Sequence, residues 1–130
     1  MRTTLLAVLL SASLLLAARS AHAHHSFAAE FDVNKPVTLT GVLTRMDWVN
    51  PHGWMYVDVK AAVGSLAHWS IQTGGPTQLL RRGFGKDTFP AGSEVTIKGF
   101  RARNGSATVH GESITLKDGR NLFIGEIPIT

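Results

Sequence analysis

Cysteine is absent from the 130 residues. That excludes a disulfide framework, a thiol nucleophile, thiolate metal sites, covalently attached c-type haem and a lipoprotein cysteine. Stability must therefore come from packing alone. Also missing are a Gly-x-Ser-x-Gly elbow, a His-Glu-x-x-His pair and a phosphate-cradling glycine loop. No catalytic residue is read from the chain, and it is expected not to be an enzyme. The apolar run from Leu5 to Leu16 is twelve residues, short of the roughly 20 that a membrane-crossing helix needs.

What that run does fit is an export signal. Met1-Arg2 supplies the basic start, and Ala21-His22-Ala23 places small residues where a signal peptidase reads them. The expected cut follows Ala23, leaving a periplasmic or secreted chain of 107 residues (130 less 23) with no stable membrane insertion. Removing Arg2 and Arg19 lowers Lys+Arg from 13 to 11 against 9 acidic residues, so the net charge falls to about +2. Arg81, Arg82, Lys86, Lys98, Arg101 and Arg103 supply positive charge, but with export and near-neutrality no nucleic-acid partner is expected. The expected organisation is a cleaved signal at 1–23, an N-terminal arm at 24–36 and a single domain at 37–130.

Five strands follow from period-two alternation. The first, 37–48, changes apolar parity at Gly41: Val37 and Leu39 are odd, Val42, Met46 and Trp48 even. A glycine bulge there would keep the core positions inward, with Leu43 as the exception. Asn50-Pro51-His52-Gly53 has the residues of a type I turn. The implied register pairs Trp48 with Met55, Met46 with Val57, Thr44 with Val59 and, on the outer face, Arg45 with Asp58. The third strand, 67–73, points Ala67, Trp69 and Ile71 inward and His68, Ser70 and Gln72 outward. Pro76 opens a short helix ended by Gly83, with Leu80 packing on Phe84. The last two strands, 94–103 and 107–116, each change parity at a glycine, Gly99 and Gly111. Asp118-Gly119 then turns into a short apolar tail or sixth strand.

Strands bent at glycines close a small sheet into a barrel. The order strand, strand, strand, helix, strand, strand predicts an all-β fold with one short helix: a small five- or six-stranded Greek-key barrel, OB-fold-like. An open antiparallel sandwich is the alternative.

His24-His25-Ser26-Phe27, the Trp48-to-Trp54 motif W-x-N-P-H-x-W, the Leu80-Arg81-Arg82-Gly83-Phe84 segment and Asp118-Gly119-Arg120 together resemble a family of small exported bacterial proteins catalogued only as a domain of unknown function. The resemblance spans nearly the whole mature chain and implies an address and motif positions, not an activity.

Two binding chemistries are legible. In one, the outer face of strands two and three offers Trp54, Tyr56, His68, Ser70 and Gln72 to a small ligand or a periplasmic partner protein; the bland reading is a solvated sheet face. In the other, cleavage gives His24 a free α-amine beside imidazoles. Planar nitrogen donors suit Cu(II), so a copper site from His24 with His25 or His52 is the alternative, resembling histidine-brace copper proteins. Its bland counterpart is a solvated terminus and a turn histidine. His68 lies about 20 Å from His52 along the hairpin, too far to share its ion. His110, outward on the fifth strand, has no assigned role.

Overall fold

The structure, a computed structural model, describes residues 27–126. The expected cleavage site, His24 and His25 lie outside the described residues. Residues 27–30 are helical, and a separate compact unit begins at Phe31. That unit is built from β1 (Phe31–Asp47), β2 (Trp54–Lys60), β3 (Leu66–Gln72), a single helix α1 (Pro76–Arg81), β4 (Glu94–Ala102), β5 (Thr108–Leu116) and β6 (Asn121–Phe123). The sheet runs β3-β2-β1-β4-β5-β6 and closes into a ring because β3 also pairs, in parallel, with the first part of β5. The all-β class, the one short helix and the OB-type strand order expected from the sequence are found.

Alternating side chains fill the ring. Leu39, Leu43, Met55, Val57, Ile71, Val95, Ile97, Val109 and Ile114 are buried there with Phe89 and, from beyond β6, Ile124. Burying each such aliphatic side chain contributes about 1.5–3 kcal/mol. With no disulfide, this cluster is the principal source of stability.

β1 starts six residues before the expected Val37, so much of the anticipated arm is strand. Phe31 is buried and pairs with Ala102, and the register shifts before Pro36 meets Phe100. Burial of the Phe31 ring favours the extension, while Pro36, which has no N–H to donate, sits at the irregularity.

The parity change in β1 is real but lies at Thr44 rather than Gly41. Leu43 pairs with Val57 and Arg45 with Tyr56, leaving Thr44 as the extra residue. Accordingly Leu43 is 0% exposed and Val42 39%, the reverse of the expected assignment at 42. Gly41 serves a different purpose: a Cβ there would meet the Asp58 carbonyl carbon at 2.9 Å and Val57 Cγ1 at 3.0 Å. Only glycine lets β2 approach that closely. In β5 the extra residue is Glu112, next to Gly111, because Lys98 pairs with Ser113 and Gly99 with Gly111. β4 does not change face at all, and Phe100 stays opposite in parity to Val95 and Ile97.

The first hairpin is shifted by two residues from the expected register, and its loop is two residues longer. Met46 pairs with Met55 and Asp47 with Trp54, leaving a loop over residues 48–53 whose Asn50–Pro51 peptide is cis. The cause lies across the sheet. Gly53 N–H donates to Gly74 O at 3.2 Å and Thr73 N–H to Gly53 O at 2.9 Å, so β2's backbone continues toward β3 where the expected turn would have held it on β1. A slip of two keeps every side chain on its face. It does separate Arg45 from Asp58: Arg45 instead pairs with Asp47 at 3.0 Å and stacks on Tyr56 at 4.1 Å.

α1 begins with Pro76 after Gly75 and ends where Gly83, at φ +85°, donates to Leu80 O. Its buried residue is Leu79, whereas Leu80 faces out. The expected Leu80–Phe84 packing is therefore replaced by an edge-on contact of Phe84 with Phe89 at 5.5 Å.

Candidate functional site

Strand pairing sets Trp54, Gln72, His110 and Phe100 in one row across β2, β3, β5 and β4. All four are opposite in parity to the buried Met55, Ile71, Val109 and Ile97, so the row lies on the outer face of the ring. Outer-face side chains ordinarily meet water. Here Gln72 is only 6% exposed and His110 8%.

The two buried polar groups satisfy each other. His110 Nδ1 donates to Gln72 Oε1 at 3.2 Å; an amide oxygen only accepts, so Nδ1 carries the proton and Nε2 the lone pair. Phe31 covers the imidazole with ring centroids 5.4 Å apart and planes at 56°. Burial, and then the nearby charge of His52, push His110 down from 6.5 to about 4. It is therefore neutral at pH 7.

His52 stands at the rim of this row, and the backbone around it is tied on three sides. The Gly53 bonds to Thr73 and Gly74 anchor the loop to β3, and a Cβ at Gly75 would lie 2.5 Å from the Pro51 carbonyl oxygen, so the loop packs on the approach to α1. Gly74 N–H donates to Ile124 O at 2.8 Å, while Ile124 and Gly125 N–H both donate to Glu112 O. The segment after β6 is thereby laid against the loop, and Glu126 Oε1 comes 3.1 Å from His52 Nδ1. That contact has the distance of an ion pair without the alignment of a hydrogen bond, so His52 Nδ1 has no hydrogen-bond partner among the described residues.

The face expected to bind a ligand is brought together, in altered form. Trp54 pairs with Gln72 and Tyr56 with Ser70, but Gln72 is buried and Tyr56 lies under Arg45. His68, exposed, hydrogen-bonds through Nδ1 to Asp58 at 2.5 Å across the β2–β3 ladder. Of the expected metal set, His52 alone lies within the described residues. Among them, no group of three or more His, Asp or Glu side chains is placed to hold a metal ion.

The residues that sequence reasoning left out are His110 and Glu126. Parity alone put both His110 and Gln72 on the outer face; their meeting depends on the parallel β3–β5 contact, which no local pattern announces. The basic residues are largely engaged within the chain. Arg82 stacks over Phe123 at 4.7 Å and Arg101 over Trp69 at 5.3 Å, and Arg103 reaches Asp32 at 3.8 Å. A separate open depression of about 390 Å³ is lined by Asp87, Thr88, Glu94, Lys117, Asp118 and Arg120. Its Lys117–Glu94 and Arg120–Asp118 pairs, each at 2.7 Å, neutralise much of its charge, so the buried row is the better candidate. No helix among the described residues is long and apolar enough to cross a membrane.

The sequence model of a family of unknown function matches residues 11–111, a span that includes His52, Gln72 and His110. No curated protein and no solved structure matches the chain.

Proposed function

Starting from the fact that the chain belongs to that family, DUF6152, we propose that it is an exported, non-catalytic binding or accessory protein whose ligand end is the Trp54–Gln72–His110 row with His52 at its rim. The observation that carries this is the burial of two polar side chains on an outer sheet face. Unpaired, a buried amide or imidazole costs about 1–3 kcal/mol; Gln72 and His110 offset that cost by pairing with each other, an arrangement that an ordinary solvated face does not need. A built polar site beside an indole does. The acidic groups that would serve acid–base chemistry are largely engaged elsewhere: Asp47 with Arg45, Asp58 with His68, Glu94 with Lys117. The ligand is a small polar molecule or a periplasmic protein segment offering hydrogen-bonding groups and a surface for the indole. The test is recovery from a periplasmic extract on immobilised wild-type protein and on Trp54→Ala, together with indole fluorescence titrated with the low-mass fraction of that extract. Recovery that Trp54→Ala abolishes, or a fluorescence change that it removes, supports the reading; no recovery and no change sinks it.

The second reading is copper binding through a mature terminus at His24, with His25 or His52. The closeness of Glu126 Oε1 to His52 Nδ1, 3.1 Å, favours it, because it sets a carboxylate charge beside an imidazole where a cation would bind. Correctly cleaved protein titrated with Cu(II) and followed by EPR tests it: a spectrum and affinity unchanged by one residue added before His24 rule it out.

A further inference from the structure

Strand pairing sets two short rows side by side on the outer face. Asp47, Trp54 and Gln72 are level across β1, β2 and β3, and so, two residues along each strand, are Arg45, Tyr56 and Ser70. At about 4.8 Å between strands and about 6.8 Å for two residues along one, the six positions cover roughly 10 by 7 Å. Their polar groups are of two kinds. Arg45 donates through Nε and Nη2 to the two Asp47 oxygens at 3.0 and 3.2 Å and lies over the Tyr56 ring at 4.1 Å, so the charges of the pair cancel and the fork is held in place. Gln72 is buried and bonded to His110. The Trp54 indole N–H and the Ser70 hydroxyl, by contrast, have no hydrogen-bond partner among the described residues, and neither atom is enclosed. Trp54 is only partly buried.

The chemistry of this face selects among ligand classes. β2 is paired on both sides over residues 54–58 and β3 on both sides over 70–72, so the backbone has nothing to offer an added strand and a ligand is read by side chains alone. A polyanion calls for unpaired cations, whereas Arg45 is engaged by Asp47. A wholly apolar ligand would cover the Trp54 N–H and the Ser70 hydroxyl and leave both without a partner. A pyranose ring meets all three conditions: it is neutral, its faces carry C–H groups that an indole can stack against, and its hydroxyls both donate and accept. We propose that the face centred on Trp54 binds a neutral saccharide, one ring stacked on the indole and its hydroxyls exchanging hydrogen bonds with Ser70 and with the free lone pairs of Asp47. The outside of a closed ring is convex, so the ligand lies against it, as a flat β-linked chain can. This inference rests on the Trp54-centred reading above and names its ligand class.

The experiment is titration of the mature protein with cellohexaose and with chitohexaose, followed by nitrogen–proton correlation NMR, in wild type, Trp54→Ala, Ser70→Ala and Lys117→Ala. At least one sugar is expected to give a saturable shift of the Trp54 indole N–H, with those of Trp48 and Trp69 unmoved. Trp54→Ala should weaken binding at least about 10-fold and Ser70→Ala about 2- to 10-fold, while Lys117→Ala, in the separate depression, leaves it unchanged. Raised salt should not alter the affinity, because a neutral ligand has no charge to screen. Should Trp54→Ala fail to fold, the wild-type indole signals and Ser70→Ala carry the test. No shift with either sugar, a shift that spares the Trp54 indole, or an affinity that falls with salt overturns the inference. If neither sugar binds but recovery from periplasmic extract is still lost in Trp54→Ala, the binding reading stands and the saccharide falls. If there is neither sugar binding nor such recovery, both fall.

Discussion

Acidification of the metal-free protein from pH 7 to pH 4 bears directly on the buried row, because the proton affinity of His110 differs so much between folded and unfolded chains. In the unfolded chain the imidazole takes its proton near pH 6.5; in the folded protein burial and His52 hold it down to about 4. Between those values the unfolded state binds a proton that the folded state does not, so stability falls as pH falls. The contribution is fully present above pH 6.5 and is lost progressively down to pH 4. At about 1.4 kcal/mol for each of about two and a half decades of proton affinity, the loss is about 3 kcal/mol, a large share of the roughly 5–15 kcal/mol that holds a domain folded. Urea denaturation at half-unit pH steps, followed by tryptophan fluorescence in chelator, measures it in wild type and in His110→Gln, which keeps a polar side chain that does not titrate. Asp118, held low by Arg120, contributes alike to both proteins and cancels in the difference. A difference curve that is flat between pH 6.5 and 4, or one that rises toward acid, refutes the reasoning.

Three further predictions separate the observed packing from the expected one. Leu43→Ala should cost about 2–5 kcal/mol, and Val42→Ala under about 0.5 kcal/mol; equal effects in thermal denaturation would return the β1 bulge to Gly41. Gly41→Ala places a Cβ against the Asp58 carbonyl and should cost about 1–3 kcal/mol, whereas Gly85→Ala, with nothing within 4 Å of its Cβ, should leave the urea midpoint nearly unchanged. Gln72→Leu takes the acceptor from His110 Nδ1 and should destabilise by about 1–3 kcal/mol, far more than Asp58→Asn, since His68 is largely exposed and a surface pair contributes about 0–1 kcal/mol.

Much of the fold was readable because period-two alternation is a local property. Val57, Ile71, Val95, Ile97, Val109 and Ile114 fall inward wherever their strands pair, and a register slip of two cannot move them to the other face. The same slip broke the Arg45–Asp58 pairing, since a cross-strand partner depends on register itself and not on parity. The glycines were half legible. They marked unusual places in three strands, but Gly41 and Gly99 admit a neighbouring backbone rather than an extra residue. The bulges fell on Thr44 and Glu112, residues with nothing in their chemistry to announce them.

By itself, then, the chain determined five of the strands, most of the inward residues, the helix bounded by Pro76 and Gly83, and the outer-face position of Trp54, Tyr56, Gln72 and His110, because each rests on contacts between near neighbours in sequence. Only the tertiary structure decided that the outer face is partly buried, that Gln72 and His110 share a hydrogen bond, and that Glu126 meets His52. Those outcomes depend on ring closure, in which β5 lies parallel to β3 and the segment after β6 is bonded to Gly74. Contacts between residues 38 and 74 positions apart are set by how whole strands pack, and no window of sequence contains both partners.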